Sequence, residues 1–245
     1  MTEIAPKVRL FVDAPLAAGI EVATNRDQAN YLFNVMRLTP GDPVALFNGA
    51  DGEWRAEVAQ AGRRGGVLRC VARLRDQRDG PDLDLLFAPL RKARTDFVAE
   101  KATEMGVRRL RPVLTRHTNA ERVNVERLRA HGIEAAEQCG ILTVPEVMPP
   151  QTLAAALDDW DPRRRLMFCD ETRDGPPAAQ ALAGAEPGRW GSLVGPEGGF
   201  SPDEVARLRN APWAVPVALG PRILRADTAA VAALALWQAT LGDWR

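Results

Sequence analysis

The chain has 245 residues, of which 46% are hydrophobic and 26% charged, an ordinary globular composition that excludes a disordered polymer and leaves room for one large domain or two unequal ones. Two histidines and three scattered cysteines without CxxC spacing argue against a His-rich metal site or a disulfide framework. They suit reduced thiols in a cytoplasmic protein. Net charge is zero, but it is segregated: residues 91–131 carry 11 Lys/Arg against 5 Asp/Glu, and residues 132–187 carry 4 against 10. A polyanion can use the first segment, although a solvated helix face has the same composition. The opening MTEIAPKVRLFVDAP is charged and lacks an apolar h-region, and no 18-residue apolar run exists. Neither an export signal nor a membrane span is expected.

In chain order, VRLFV (8–12), DPVALF (42–47), EWRAEVA (53–59) and GVLRCVARL (66–74) read as short strands separated by Pro-Gly-Asp, Asn-Gly, Asp-Gly and Gly-Gly turn signals. RDQANYLFNVMRL (26–38) has a short helix pattern. A small β-barrel over residues 1–76 is expected. RDQRDGPD (75–82) reads as a linker.

From residue 83 strands alternate with helices: LDLLFAPL (83–90), a helix over 93–106 closing at Gly106, LRPVLT (110–115), a helix over 124–139, and RLMFCD (165–170). SLVG (192–195), a helix over 201–209, AVPVAL (214–219) and a long apolar helix over 226–241 follow. That rhythm predicts a mainly parallel sheet covered on both faces, with ligands held outside the carboxyl ends of its strands.

Two loops fall at such ends. Gly195-Pro196-Glu197-Gly198-Gly199 follows SLVG and runs into Ser201-Pro202-Asp203-Glu204, an N-cap with proline at the first helical position and acidic residues in the first turn. Its spacing matches neither phosphate-binding glycine motif, and Glu197 repels a phosphate. The glycines suit either a simple turn or clearance for an uncharged or cationic ligand against the main chain. LGPRILRADTAA (219–230) repeats the Gly-Pro pattern after AVPVAL, with Arg222 and Arg225 flanking Ile223-Leu224 and Asp227 at the start of the long helix. Together the loops make a lined cleft of the carboxylate and the arginines.

VGPEGGFSPDE (194–204) with LGPRILRADTA (219–229) resembles the C-terminal signature of the SPOUT-type RNA methyltransferases, and specifically the ribosomal RNA small subunit methyltransferase E family. RKARTDFVAEKATEMGV (91–107) is similar to that family's first helix and RHTNAERVNVERLRAHGIEAAEQCG (116–140) to its second, with VPEV (144–147) following in place. The resemblance covers about residues 83–245. It implies an α/β domain with a deep trefoil knot, an exception to the usual rules of chain topology, joined to a PUA-like, OB-like barrel that binds RNA. It also implies a homodimer, without metal or membrane, that uses S-adenosylmethionine to methylate N3 of a uridine in the 16S rRNA of the small ribosomal subunit. A different RNA nucleoside or ribose 2′-hydroxyl, or a non-catalytic RNA-binding role, are the alternatives. Cofactor contacts carried over by the resemblance are Leu114, Thr115, Gly195, Pro196, Glu197, Gly198, Gly199, Leu219, Gly220, Ile223 and Leu224. Two departures stand out. Ile141-Leu142-Thr143 replaces the arginine usual after Glu-Gln-Cys-Gly, for which Arg116 or Arg122 are candidate substitutes, and Asp227 is one methylene shorter than the family glutamate.

N3 of uridine accepts a methyl group only after losing its proton. Glu197 or Asp227 can take that proton, and Arg225 or Arg222 can stabilise the resulting anion. Glu197 can equally hold cofactor or brace the loop. Read with the family, Arg91, Lys92, Arg94, Lys101 and Arg116 become RNA contacts, since phosphates are met by Lys/Arg. In the barrel, Tyr31, Phe33, Phe47 and Trp54 suit either base stacking or core.

Overall fold

A computed structural model of the chain describes residues 5–119, 122–172 and 174–244, so the first four residues of the expected barrel and Ala120-Glu121 of the 116–140 block lie outside it. The chain separates into two compact units, one running to Asp79 and including Ala136–Thr143, the other comprising Gly80–Ala135 and Val144 onward.

In the first unit the strands are β1 (Arg9–Phe11), β2 (Glu21–Ala23), β3 (Pro43–Phe47), β4 (Glu53–Gln60) and β5 (Val67–Arg75). They form a curled sheet in the order β1-β3-β4-β5-β2. The β1–β3 pair is parallel and the others antiparallel, with register shifts between β4 and β5 that bend the ladder. β2 has only three residues and escapes a reading by alternation. Val22, Leu32, Leu46, Ala56, Val58 and Leu68 meet in its core. Trp54 is buried with them and Phe33 packs against them, Phe47 is buried on the other face of its strand against Phe11 and Arg9, and Tyr31 is exposed. The helix expected over 26–38 is instead one turn, α1 (Arg26–Ala29), opened by an Asn25/Gln28 capping box and followed by a π-helical turn, Asn30–Val35. That wider turn shifts the apolar stripe off the core, so Val35 and Met36 are exposed, and Arg37 leaves it at φ 58°. Residues 136–143 group here through Arg9. Its guanidinium donates to the carbonyls of Glu137 (2.8 Å) and Ile141 (3.0 Å) and to Glu53 (2.6 Å).

The second unit carries β6 (Leu83–Phe87), α2 (Lys92–Glu104), β7 (Arg109–Leu114), α3 (Val125–Cys139), β8 (Glu146–Val147), β9 (Gln151–Thr152) and α4 (Leu153–Asp158). β10 (Arg165–Cys169), α5 (Ala178–Ala183), β11 (Trp190–Val194), α6 (Pro202–Arg209), β12 (Ala214–Val217) and α7 (Ala226–Leu241) follow. The strands lie in the order β12-β10-β11-β6-β7-β8, every pair parallel, with β9 beside β7. Alternation along β6 shows both faces covered: Leu83, Leu85 and Phe87 join the cluster of α2, α5 and α7, whereas Leu86 joins that of α4 and α6. α2 ends as expected, with Gly106 at φ 72° just beyond Met105. The short α4 and α5 have too few residues to show a period, and the sequence reading leaves them out.

Because β12 is laid beside β10 and β10 beside β11, the loops that leave these three strands emerge side by side at one end of the sheet.

Candidate active site

Those three loops enclose a cleft of roughly 460 Å³, a size typical of small-ligand sites. All of Gly195, Pro196, Glu197, Gly198, Gly199, Leu219, Gly220, Arg222, Ile223, Leu224 and Arg225 line it. Leu114, Thr115 and Asp227 are not among its lining residues. Thr115 is buried, its N–H donating to the Thr118 hydroxyl at 2.8 Å, while Leu114 is exposed. Asp227 accepts the N–H of Thr228 at 2.9 Å in the first turn of α7. The cleft has a wall the sequence reading missed: Cys169, Asp170 and Glu171, at the end of β10. They stand at the same kind of strand end as the two Gly-Pro loops, but no glycine marks them.

The glycine-rich loop is a packed object. Ser201 caps α6: its hydroxyl accepts the Glu204 N–H, Glu204 Oε2 accepts the Ser201 N–H at 2.8 Å, and Glu204 Oε1 takes the Arg116 N–H at 2.9 Å. His117 Nδ1 lies 3.0 Å from the Gly198 carbonyl and 3.2 Å from that of Gly199. Both are acceptors, so Nδ1 carries the proton. A Cβ at Gly195 would stand 2.7 Å from the Phe200 ring, one at Gly198 would stand 3.1 Å from His117 Cβ, and one at Gly199 would strike the Glu171 carboxylate. Gly199 also has φ 69°. On the side where a Cβ would stand, these three glycines are met by the protein's own Phe200, His117 and Glu171, while their main chain lines the cleft. Gly220, at φ 118°, has open space where a Cβ would be.

The third wall is clamped from behind. Arg209 on α6 donates to Asp170 Oδ2 at 2.6 Å, to Asp174 at 3.1 Å and to the Thr172 hydroxyl at 2.8 Å. These bonds, led by that to Asp170, raise the Arg209 guanidinium further, and the Arg209 bond holds Asp174 below its ordinary value. Burial pushes the Cys169 thiol up to about 12, so it is neutral and unreactive in the cleft wall.

The basic side chains do not behave as one set. Arg91 and Lys92 are exposed at the start of α2, and Arg116 is exposed after β7. Lys101 is engaged by Glu104 at 2.7 Å. Arg94 stands between two carboxylates, 3.5 Å from Glu197 and 3.7 Å from Asp227. In the first unit, Arg26, Arg63 and Arg64 gather with Asp27 and Asn30 around a polar hollow of roughly 560 Å³. The described residues contain no His/Cys/Asp/Glu group suited to a metal, and none of their helices is long and apolar enough to cross a membrane.

Both units, the parallel sheet with its cleft of paired Gly-Pro loops and the curled β unit, fall to families of the RNA methyltransferase class. The family described as "RNA methyltransferase domain" matches residues 78–238, and that described as "RNA methyltransferase PUA domain" matches residues 24–69. The chain is 30% identical over 238 residues to ribosomal RNA small subunit methyltransferase E of Synechocystis sp., covering 95% of this chain and 78% of that one. It is 29% identical to the protein of the same name from Rickettsia conorii, over 93% of both chains. The crystal structure of ribosomal RNA small subunit methyltransferase E from Neisseria gonorrhoeae bound to S-adenosyl methionine is similar over 97% of this chain and 99% of that one, with TM-score 0.86 and 26% identity. The chain belongs to the ribosomal RNA small subunit methyltransferase E family.

Proposed function

We propose that the chain is an S-adenosylmethionine-dependent methyltransferase that modifies N3 of a uridine in 16S rRNA of the small ribosomal subunit. The observation that carries this reading is the single cleft lined by both signature loops, Gly195–Gly199 and Leu219–Arg225. Its residues fit the cofactor. Val194, Leu219, Ile223, Leu224 and Ala229 supply an apolar lining, and Glu171, Glu197, Arg222 and Arg225 supply both signs of charge. A molecule combining an adenine, a diol and a zwitterionic amino acid needs such a mixture.

The cofactor supplies an electrophilic methyl group on a sulfonium, and the protein's task is alignment and exclusion of water. Of the two candidate bases, Glu197 lines the cleft and Asp227 does not, which supports Glu197 as the carboxylate that takes the N3 proton. Arg222 and Arg225 share the cleft with it and stabilise charge on O2 and O4 of the base. Arg94 keeps Glu197 in place.

Residues 83–245 form the catalytic domain, with Leu114 and Thr115 at its edge, and residues 1–76 the RNA-binding domain. Arg91, Lys92 and Arg116 contact rRNA phosphates together with Arg26, Arg63 and Arg64. The protein works in the cytoplasm as a homodimer. Exposed Phe97, Ile223 and Trp244 are apolar side chains that a second copy can cover.

The test is incubation of the purified protein with methyl-labelled S-adenosylmethionine and small subunits lacking the modification, followed by nucleoside mapping. One labelled 3-methyluridine is expected. Label on a ribose or another base would overturn the uridine-N3 reading, and no transfer would overturn the enzymatic one. Glu197→Gln is expected to abolish transfer while S-adenosylmethionine binding persists.

A further inference from the structure

Three carboxylates line the cleft, and two of them are spoken for: Asp170 by Arg209 at 2.6 Å and Glu197 by Arg94 at 3.5 Å. Glu171 differs. Its Oε1 accepts the N–H of Phe200 at 2.7 Å, and no cation among the described residues pairs with it. The carboxylate is nevertheless held. It lies so close to the Gly199 main chain that a Cβ there would strike it, and its neighbour Asp170 is tied through Arg209 to α6. An anchored carboxylate in a ligand-sized cleft, with acceptor capacity left over, calls for a hydrogen-bond donor from the ligand.

We infer that Glu171 is a cofactor-binding residue, accepting hydrogen bonds from the donor groups of S-adenosylmethionine, with Arg209 as the positioning residue that holds its loop. The inference rests on the proposed function. Two donor groups of the molecule carry the required chemistry, the ribose diol and the α-ammonium group. A carboxylate fixed by one backbone N–H offers its remaining lone pairs to either.

Glu171→Gln separates binding from folding, because the Gln Oε1 still accepts the Phe200 N–H while the second oxygen becomes a donor. Calorimetric titration of the full-length protein with S-adenosylhomocysteine and with 5′-methylthioadenosine, which has the diol but no ammonium group, gives the arms. Glu171→Gln is expected to weaken S-adenosylhomocysteine at least about tenfold, as loss of a charge-assisted hydrogen bond does, with the ligand-free melting temperature unchanged. An equal loss for 5′-methylthioadenosine assigns the contact to the diol, and a loss confined to S-adenosylhomocysteine assigns it to the ammonium group. Arg209→Ala is expected to weaken both ligands, with Arg209→Lys recovering part of the affinity. Wild-type affinity in Glu171→Gln overturns the inference while leaving the proposed function standing. Failure of the wild-type protein to bind either ligand overturns the proposed function instead.

Discussion

Arg94 Nη1 stands 3.5 Å from Glu197 Oε1, joining the first helix of the α/β unit to the glycine-rich loop, and its Nε lies 3.7 Å from Asp227. Arg94 and Glu197 are each more than a third exposed, and such pairs contribute well under about 1 kcal/mol to stability. The pair therefore matters for alignment. Arg94→Met, which keeps the stem and removes the charge, is expected to leave the melting temperature nearly unchanged and to lower kcat by about tenfold or more. Steady-state kinetics on small subunits check it. A rise in KM for RNA alone, with the salt slope reduced by about one, would make Arg94 a phosphate contact instead.

The packed glycine loop makes Gly199→Ala costly. The new methyl group would strike Glu171 in a backbone held at φ 69°, and loss of about 1–3 kcal/mol of stability is expected. Gly220→Ala meets no neighbour within 4 Å, so it pays only for its φ. Chemical denaturation of the two variants side by side should rank them in that order.

Stability in acid should depend on Glu53. Burial alone would raise its carboxyl, but hydrogen bonds from Arg75 and Arg9 outweigh burial and hold it below the ordinary value of 4.5. A lowered folded-state pKa gives stability that is present above pH 4.5 and lost as pH falls through the folded value. Glu53→Gln is expected to cost about 3 kcal/mol at pH 7, because it leaves two arginines short of their partner, and to flatten the acid limb of a stability–pH curve. A parallel acid limb in the variant would refute this.

Thiol labelling should single out Cys139. Cys139 is exposed, whereas Cys70 and Cys169 are buried and burial raises both thiols, Cys169 to about 12. Mass spectrometry after maleimide treatment at pH 7.5 is expected to find one modified cysteine in the native protein and three after unfolding.

Arg63 and Arg64 share a hollow with Arg26 in the first unit. Replacing both with alanine is expected to weaken RNA binding for all sequences alike, and to reduce the slope of log K against log salt by about two. Filter binding across a salt series measures both effects. An unchanged slope would place the RNA elsewhere.

Much of the site was legible in the residues because its chemistry is written locally. Gly-Pro at two strand ends, Ser201 before Pro202 and Glu204, and Gly106 after α2 each state a backbone requirement of their own neighbourhood, and each is met. Glu171 was not legible. Nothing adjacent to it in the chain shows that its oxygen will meet the Phe200 N–H 29 positions away. Arg94 read as one more cation on a basic helix, since its partners lie 103 and 133 positions ahead in the chain.

Alternation of apolar strands and helices by itself determined a parallel sheet buried on both faces, because period 2 and period 3.6 admit few other arrangements. Glycine and proline also marked two of the loops that line the cleft, because main chain with special φ or rigidity has to be spelled in those residues. The order β12-β10-β11 was decided only in three dimensions. Neighbours in a sheet are chosen by which faces bury each other, a global sum that no local stretch contains. That order brings the unmarked loop after β10 against the glycine-rich loop. There the glycines make room for Glu171, His117 and Phe200, and the cleft acquires its third wall.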